Sequence, residues 1–102
     1  MSNLIKVATK NEIKPGVGIS VNIDNKEVAI FNIEGKFYAI DNQCTHAGGP
    51  LCEGELDGTT VTCPWHGATF DVGSGTALSA PAFDGVKSYR VALEGDDIKI
   101  EI

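Results

Sequence analysis

Thr59-Thr60-Val61-Thr62-Cys63-Pro64-Trp65-His66-Gly67-Ala68-Thr69-Phe70-Asp71-Val72 reads as two short β-strands with an abrupt break between them. Residues 59–62 and 69–72 are rich in β-branched and aromatic side chains, which suit a pleated, half-buried surface. Pro64 fixes its own φ and removes a backbone donor, so it ends the first strand and sets the turn. The break places a thiol and an imidazole, Cys63 and His66, on one tight loop. A second pair, Cys44-Thr45-His46, lies upstream and is separated from the first by sixteen residues.

The flanking sequence is of the same kind. Short β-branched runs at 4–9, 17–23, 28–33 and 36–40 alternate with Lys14-Pro15-Gly16, Asp24-Asn25-Lys26 and Glu34-Gly35-Lys36, each suited to a tight turn. Hairpins of a meander are the expected outcome. After the turn at Gly73-Ser74-Gly75 and the Asp84-Gly85 turn, residues 86–93 and 97–102 flank Glu94-Gly95-Asp96 as a last hairpin. The run 4–9 alternates imperfectly, and no 3.6-residue apolar stripe extends beyond one or two turns. Residues 41–58 lack alternation and gather Cys44, His46, Gly48, Gly49, Pro50, Cys52, Gly54 and Gly58. They read as a long structured loop, uncommon in a compact domain unless it has a job, and a bound cofactor is one thing that would order it. The expectation is an all-β chain without helices, repeats or linkers.

Size and charge narrow the function. A chain of 102 residues is one domain's worth of sequence, so residues 1–102 are expected to form a single domain with no oxygenase or reductase body beside it. Fourteen acidic against eight basic residues give a net charge of -6, which disfavours nucleic acid or an anionic membrane as partner. No charged stretch followed by an apolar run opens the chain, and no window approaches the ~18 apolar residues of a membrane span. A cytoplasmic location is therefore expected. Three cysteines cannot close a disulfide set, and cysteines with histidines at close spacing are better read as metal ligands.

Two thiolates and two imidazoles delivered by two loops permit two chemistries. In a [2Fe-2S] centre two thiolates hold one iron and two neutral histidines hold the other. Zinc also takes Cys2His2 sets, in structural modules that usually keep Cys with Cys and His with His. Here each loop carries one of each, which favours iron and sulfide.

The runs Cys44-Thr45-His46-Ala47-Gly48-Gly49 and Cys63-Pro64-Trp65-His66-Gly67-Ala68-Thr69-Phe70-Asp71 resemble the two cluster-binding boxes of Rieske iron-sulfur proteins. Short strands before the boxes and a C-terminal hairpin extend that resemblance over essentially the whole chain, towards the Rieske-type ferredoxins that serve bacterial ring-hydroxylating dioxygenases. The resemblance implies a Rieske fold, an antiparallel β-sandwich-like base carrying a cluster-binding subdomain of two loops at about 43–70. It implies one [2Fe-2S] cluster, with Cys44 and Cys63 on the inner iron and His46 and His66 on the outer. The histidines then form the electron exit. Two ferric irons, two sulfides and two thiolates sum to zero charge, so such a centre accepts an electron more readily than one held by four thiolates.

Departures from the respiratory-chain members of that family sharpen the expectation. Those proteins carry a Ser and a Tyr hydroxyl aimed at cluster sulfur where this chain has Ala68 and Phe70. Without those donors the reduced state is less stabilised and the potential is expected at the low end of the Rieske range. The extra cysteine pair that forms a disulfide across the loops is replaced by Gly49 and Trp65. Cys52 is read as a free packed thiol, Gly48, Gly49 and Gly67 as turn residues or inward-facing N–H donors, Pro81 as the start of a segment shielding the cluster, and Trp65 as loop packing or a docking contact. Glu53, Glu55 and Asp57 form an acidic group able to steer a basic partner. The expected role is a one-electron carrier, not an enzyme, passing electrons from a flavoprotein NAD(P)H reductase to a terminal Rieske oxygenase. The alternatives are the small subunit of an assimilatory nitrite reductase and a structural zinc module.

Overall fold

The computed structural model describes residues 4–23, 25–43, 50–65, 67–78 and 85–101. Within them lie the strands β1 (Leu4–Thr9), β2 (Gly18–Ile23), β3 (Lys26–Ile33), β4 (Lys36–Asp41), β5 (Glu55–Asp57), β6 (Thr60–Thr62), β7 (Thr69–Asp71), β8 (Ser88–Tyr89), β9 (Val91–Glu94) and β10 (Asp97–Glu101). All strand pairs are antiparallel. No α-helix occurs among the described residues, which include two 3-10 turns, Lys10–Glu12 and Leu51–Glu53.

Val28, Ala29, Ile30 and Phe31 of β3 are each 0% exposed, a continuous burial that a sheet with one wet face cannot give. The cause is layering. Sheet β2-β3-β4-β8 lies between β1-β10-β9 and β5-β6-β7. Val28 and Ile30 of β3 and Ala39 of β4 pack with Ala8, Ile98 and Ile100 on one side. Ala29, Phe31 and Ile40 pack with Leu51, Val61 and Phe70 on the other. The two-residue period of a strand thus sends alternate side chains into two separate cores. Burying Phe31 alone is worth about 2–3 kcal/mol.

The β2-β3-β4 meander forms as its turns predict. Asn25 turns with φ 68° between Ile23 and Lys26, and Glu34 with φ 52° leads the two-residue turn between Ile33 and Lys36. The first strand departs from the expected meander, because β1 pairs with β10 at the other end of the chain. Its register shifts between Lys6 and Ala8. That bulge lets Val7 and Ala8 both face one core, and so accounts for the imperfect alternation of residues 4–9.

Two further boundaries differ from expectation. The run 86–93 is split at Arg90, where the chain leaves β4 and joins β10: Ser88 and Tyr89 pair with Ile40 and Ala39, whereas Val91 pairs with Ile100. Residues 41–58 are not all loop, since Leu51–Glu53 makes a 3-10 turn and Glu55–Asp57 pairs with β6. Hydrogen bonds from β6 supply what the alternation of that short segment does not.

Candidate metal centre

The β6-β7 hairpin presents the second box. Its last paired residues are Thr62 and Thr69, and beyond them the Cys63 N–H donates to the Ala68 carbonyl at 2.7 Å. The Gly67 N–H donates to the Cys63 carbonyl at 3.2 Å. Pro64, Trp65 and Gly67 therefore lie on the tip of a loop closed on Cys63 itself. Gly67 has φ +77°, and a Cβ there would meet nothing within 4 Å. Backbone conformation, not space, requires the glycine, and its N–H is already engaged. Of the two roles expected for Gly67, the turn role is the one found. Cys63 is 2% exposed, packed with Val61, Ala68 and Phe70, and in no disulfide. Trp65 on the same loop is 58% exposed, so the loop-packing role expected as its alternative is not what the structure places there.

The first box hangs from a neck built at the end of β4. Gln43 and Pro50 form an isolated antiparallel bridge, and the Leu51 N–H donates to the Asn42 carbonyl at 2.7 Å. Leu51, 0% exposed, anchors the exit of this loop in the core that also holds Cys63. The exit presses on the second loop's strand as well: a Cβ on Gly54 would lie 2.3 Å from the Thr62 carbonyl oxygen and 2.8 Å from Val61 Cγ2. The two necks are thus seated on one core.

A third neck lies beside them. Phe70 and Ala77 form a bridge, the Leu78 N–H donates to the Thr69 carbonyl at 2.8 Å, and the Val86 N–H donates to the Gly75 carbonyl at 2.8 Å. The Asp41 N–H, just before the first neck, donates to the Lys87 carbonyl at 2.9 Å. The described residues on either side of this neck are therefore bonded to the necks of the first two loops.

Of the four expected ligands, Cys63 is described; Cys44, His46 and His66 lie outside the described residues, as do Gly48, Gly49 and Pro81. The structure brings together the stems that carry them. Cys52 is the free, partly buried thiol expected, and burial is the main cause pushing its pKa up, so the neutral thiol is favoured. Ala68 and Phe70 are both 0% exposed and reach no solvent. Glu53, Glu55 and Asp57 are all exposed, the latter two facing out from strand β5 while Leu56 packs inward. Asn42 and Tyr89 were not expected to matter. No periodicity marks an isolated asparagine as buried, although its place two residues before Cys44 could have drawn attention to it.

The donor chemistry fits an iron-sulfur cluster. A thiolate iron ligand needs a sulfur free of any disulfide and a backbone fixed on both sides of it. Cys63 has both, its own N–H and carbonyl being hydrogen-bonded across the loop. All-antiparallel sheets bearing a buried cysteine on a closed hairpin loop, with the neck of a second loop seated on the same core, fit a class of small cluster-carrying domain. Residues 3–90 match the Rieske [2Fe-2S] domain, and the chain belongs to that family. It is 40% identical over 91 residues to the ferredoxin component of a naphthalene 1,2-dioxygenase system of Pseudomonas aeruginosa, covering 89% of this chain and 88% of that one. The ferredoxin of carbazole 1,9a-dioxygenase from Nocardioides aromaticivorans IC177 superposes with a TM-score of 0.92 at 33% identity, covering 97% of both chains. A ferredoxin solved in complex with the reduced oxygenase of carbazole 1,9a-dioxygenase gives 0.89 at 30% identity, covering 95% of this chain and 91% of that one. A nitrite reductase small subunit from Mycobacterium tuberculosis gives 0.90 at 21% identity, covering 100% and 96%, a likeness of fold alone. The cofactor is one [2Fe-2S] cluster, and the zinc alternative falls. No described helix is long and apolar enough to cross a membrane.

Proposed function

We propose that this chain is the ferredoxin component of a multicomponent ring-hydroxylating dioxygenase system, a one-electron carrier between a flavoprotein NAD(P)H reductase and a terminal Rieske oxygenase. It is an electron-transfer component, not an enzyme in itself. Residues 1–102 act as one domain in the cytoplasm. Cys44 and Cys63 hold one iron through their thiolates, and His46 and His66 hold the other through neutral imidazoles. When bound, the cluster supplies a site that takes up and returns a single electron.

The protein's own residues do the rest. The core of Leu51, Val61 and Phe70 seats both loops, so the ligand stems keep their relation whether or not the charge on the cluster changes. A carrier gains from such rigidity, because little has to rearrange when the electron arrives or leaves. Ala68 and Phe70 pack in the core that holds Cys63 and offer no side-chain hydroxyl, which supports a potential at the low end of the Rieske range. Trp65, exposed on the loop of His66, supplies an aromatic contact of the kind that dominates binding energy at interfaces.

The observation that carries this reading is Cys63, a buried thiol outside any disulfide on a hairpin loop closed by its own backbone bonds. The test is a metal and sulfide analysis of the purified protein. About two irons and two acid-labile sulfides per chain with visible absorption are expected. Stoichiometric zinc in a colourless protein would overturn it.

A further inference from the structure

We propose that Asn42 is the positioning residue of the cluster, tying the neck of the first loop to β3 and so fixing where that loop presents Cys44 and His46. This rests on the ligand reading above. Asn42 is 2% exposed and every polar group it has is engaged. Its N–H donates to the Glu27 carbonyl at 2.9 Å, and its carbonyl accepts from the Leu51 N–H at 2.7 Å. Its Nδ2 donates to Glu27 Oε2 at 3.0 Å, and its Oδ1 accepts from the Cys52 N–H at 2.8 Å. One residue thus joins the entrance of the loop, its exit at Leu51 and Cys52, and the neighbouring strand.

The chemistry calls for an amide. Donating to a carboxylate while accepting from a backbone N–H needs both ends of an asparagine. Aspartate keeps the acceptor but sets two carboxylates side by side, and alanine removes the side-chain acceptor of the partly buried Cys52 N–H. The stems are joined to ligands of both irons, since Cys44 binds one and His46 the other. A loosened neck therefore gives up preorganisation at both metals.

The fold supplies its own control in Asn32. It is 4% exposed and engages the same four groups, with Asn32 N to the Val17 carbonyl at 3.1 Å and its carbonyl accepting from Gly16 N at 2.8 Å. Its Nδ2 donates to the Ile13 carbonyl at 2.8 Å and its Oδ1 accepts from the Gly35 N–H at 2.9 Å. It sits five positions beyond Glu27 on β3, roughly 16 Å along a strand rising about 3.3 Å per residue, and holds no ligand loop. A purely structural role predicts the same consequence for loss of either asparagine; a positioning role does not.

The experiment follows iron release from the reduced holoprotein to a ferrous chelator, with the paramagnetic resonance spectrum of the reduced cluster as second readout. The proteins are wild type, Asn42→Ala, Asn32→Ala, Asn42→Asp and the double variant Asn42→Asp with Glu27→Gln, which restores the pair with donor and acceptor exchanged. Asn42→Ala is expected to release iron at least tenfold faster than Asn32→Ala and to shift the resonance, which Asn32→Ala leaves unchanged. Asn42→Asp is expected to behave like Asn42→Ala, and the double variant to return within about twofold of wild type. Equal release from the two alanine variants, or no rescue in the double variant, would overturn the proposal. Should Asn42→Ala not fold, Asn42→Asp against the double variant decides by the same criterion. Wild type that binds no iron would instead defeat the ligand reading, a failure visible before any variant is made.

Discussion

Ala68 and Phe70 share one core with Cys63, each 0% exposed, and neither side chain can donate a hydrogen bond. Replacing them by Ser and Tyr would add two hydroxyl donors in the core that holds Cys63, able to donate to the sulfurs of a cluster held there. A hydrogen bond worth about 1 kcal/mol to the reduced state corresponds to about 40 mV for one electron. The double variant Ala68→Ser with Phe70→Tyr is expected to raise the potential by several tens of mV in protein-film voltammetry. Lower stability with an unmoved potential would contradict the argument. At this scale the proposed ligands stand out as a pattern because Cys44-x-His46 and Cys63-x-x-His66 are local in sequence. Asn42 was not, since its importance comes from Glu27, Leu51 and Cys52, which only the folded chain brings to it.

Between elements, the contact of β4 with β8 shows how a two-residue strand is held. Ser88 and Tyr89 pair with Ile40 and Ala39, and the Tyr89 hydroxyl donates to Asp41 Oδ1 at 2.6 Å. Burial first, then the bonded Asp41 carboxylate, raises the Tyr89 pKa above its ordinary value near 10. The sign follows from linkage: the phenol is neutral in the fold, so its stabilisation is complete below about pH 10 and declines as the unfolded chain ionises above it. Tyr89→Phe is expected to lower stability by about 1.5 kcal/mol at neutral pH, and the gap to wild type should narrow from pH 10 upwards in denaturant titrations. A gap that stays constant to about pH 11 would count against this bond. The hairpins were readable from turn residues and β-branched runs. The pairing of β1 with β10 was not, because partners at opposite ends of a chain leave no local signal, and the break at Arg90 reflects a change of sheet without a Gly or Pro to announce it.

For the molecule as a whole, three stacked sheets make a rigid base, and three loop necks open beside one another at its edge. The net charge of -6 and the exposed row Glu53, Glu55 and Asp57 give that edge an acidic flank. Steering of a basic partner face by such a row weakens as salt shortens the Debye length to about 10 Å at 0.1 M. Neutralising the three acids to Gln, Gln and Asn is expected to slow electron delivery to the oxygenase proposed as partner a few-fold in low salt and to make no difference in high salt. Equal rates at all salt concentrations would remove the steering role. The all-β class and the cluster motif could be read in advance, whereas the double-sided burial of β3 could not: Val28 to Phe31 reads as one apolar run until both covering sheets are in place.

The proposed [2Fe-2S] cluster, held by two cysteines and two histidines, would engage both histidines of the chain. Electron spin-echo modulation spectroscopy of the reduced protein, with and without 15N-histidine, tests it most directly. Couplings from two histidine nitrogens that change with the label are expected. A reduced cluster without any histidine coupling would contradict it.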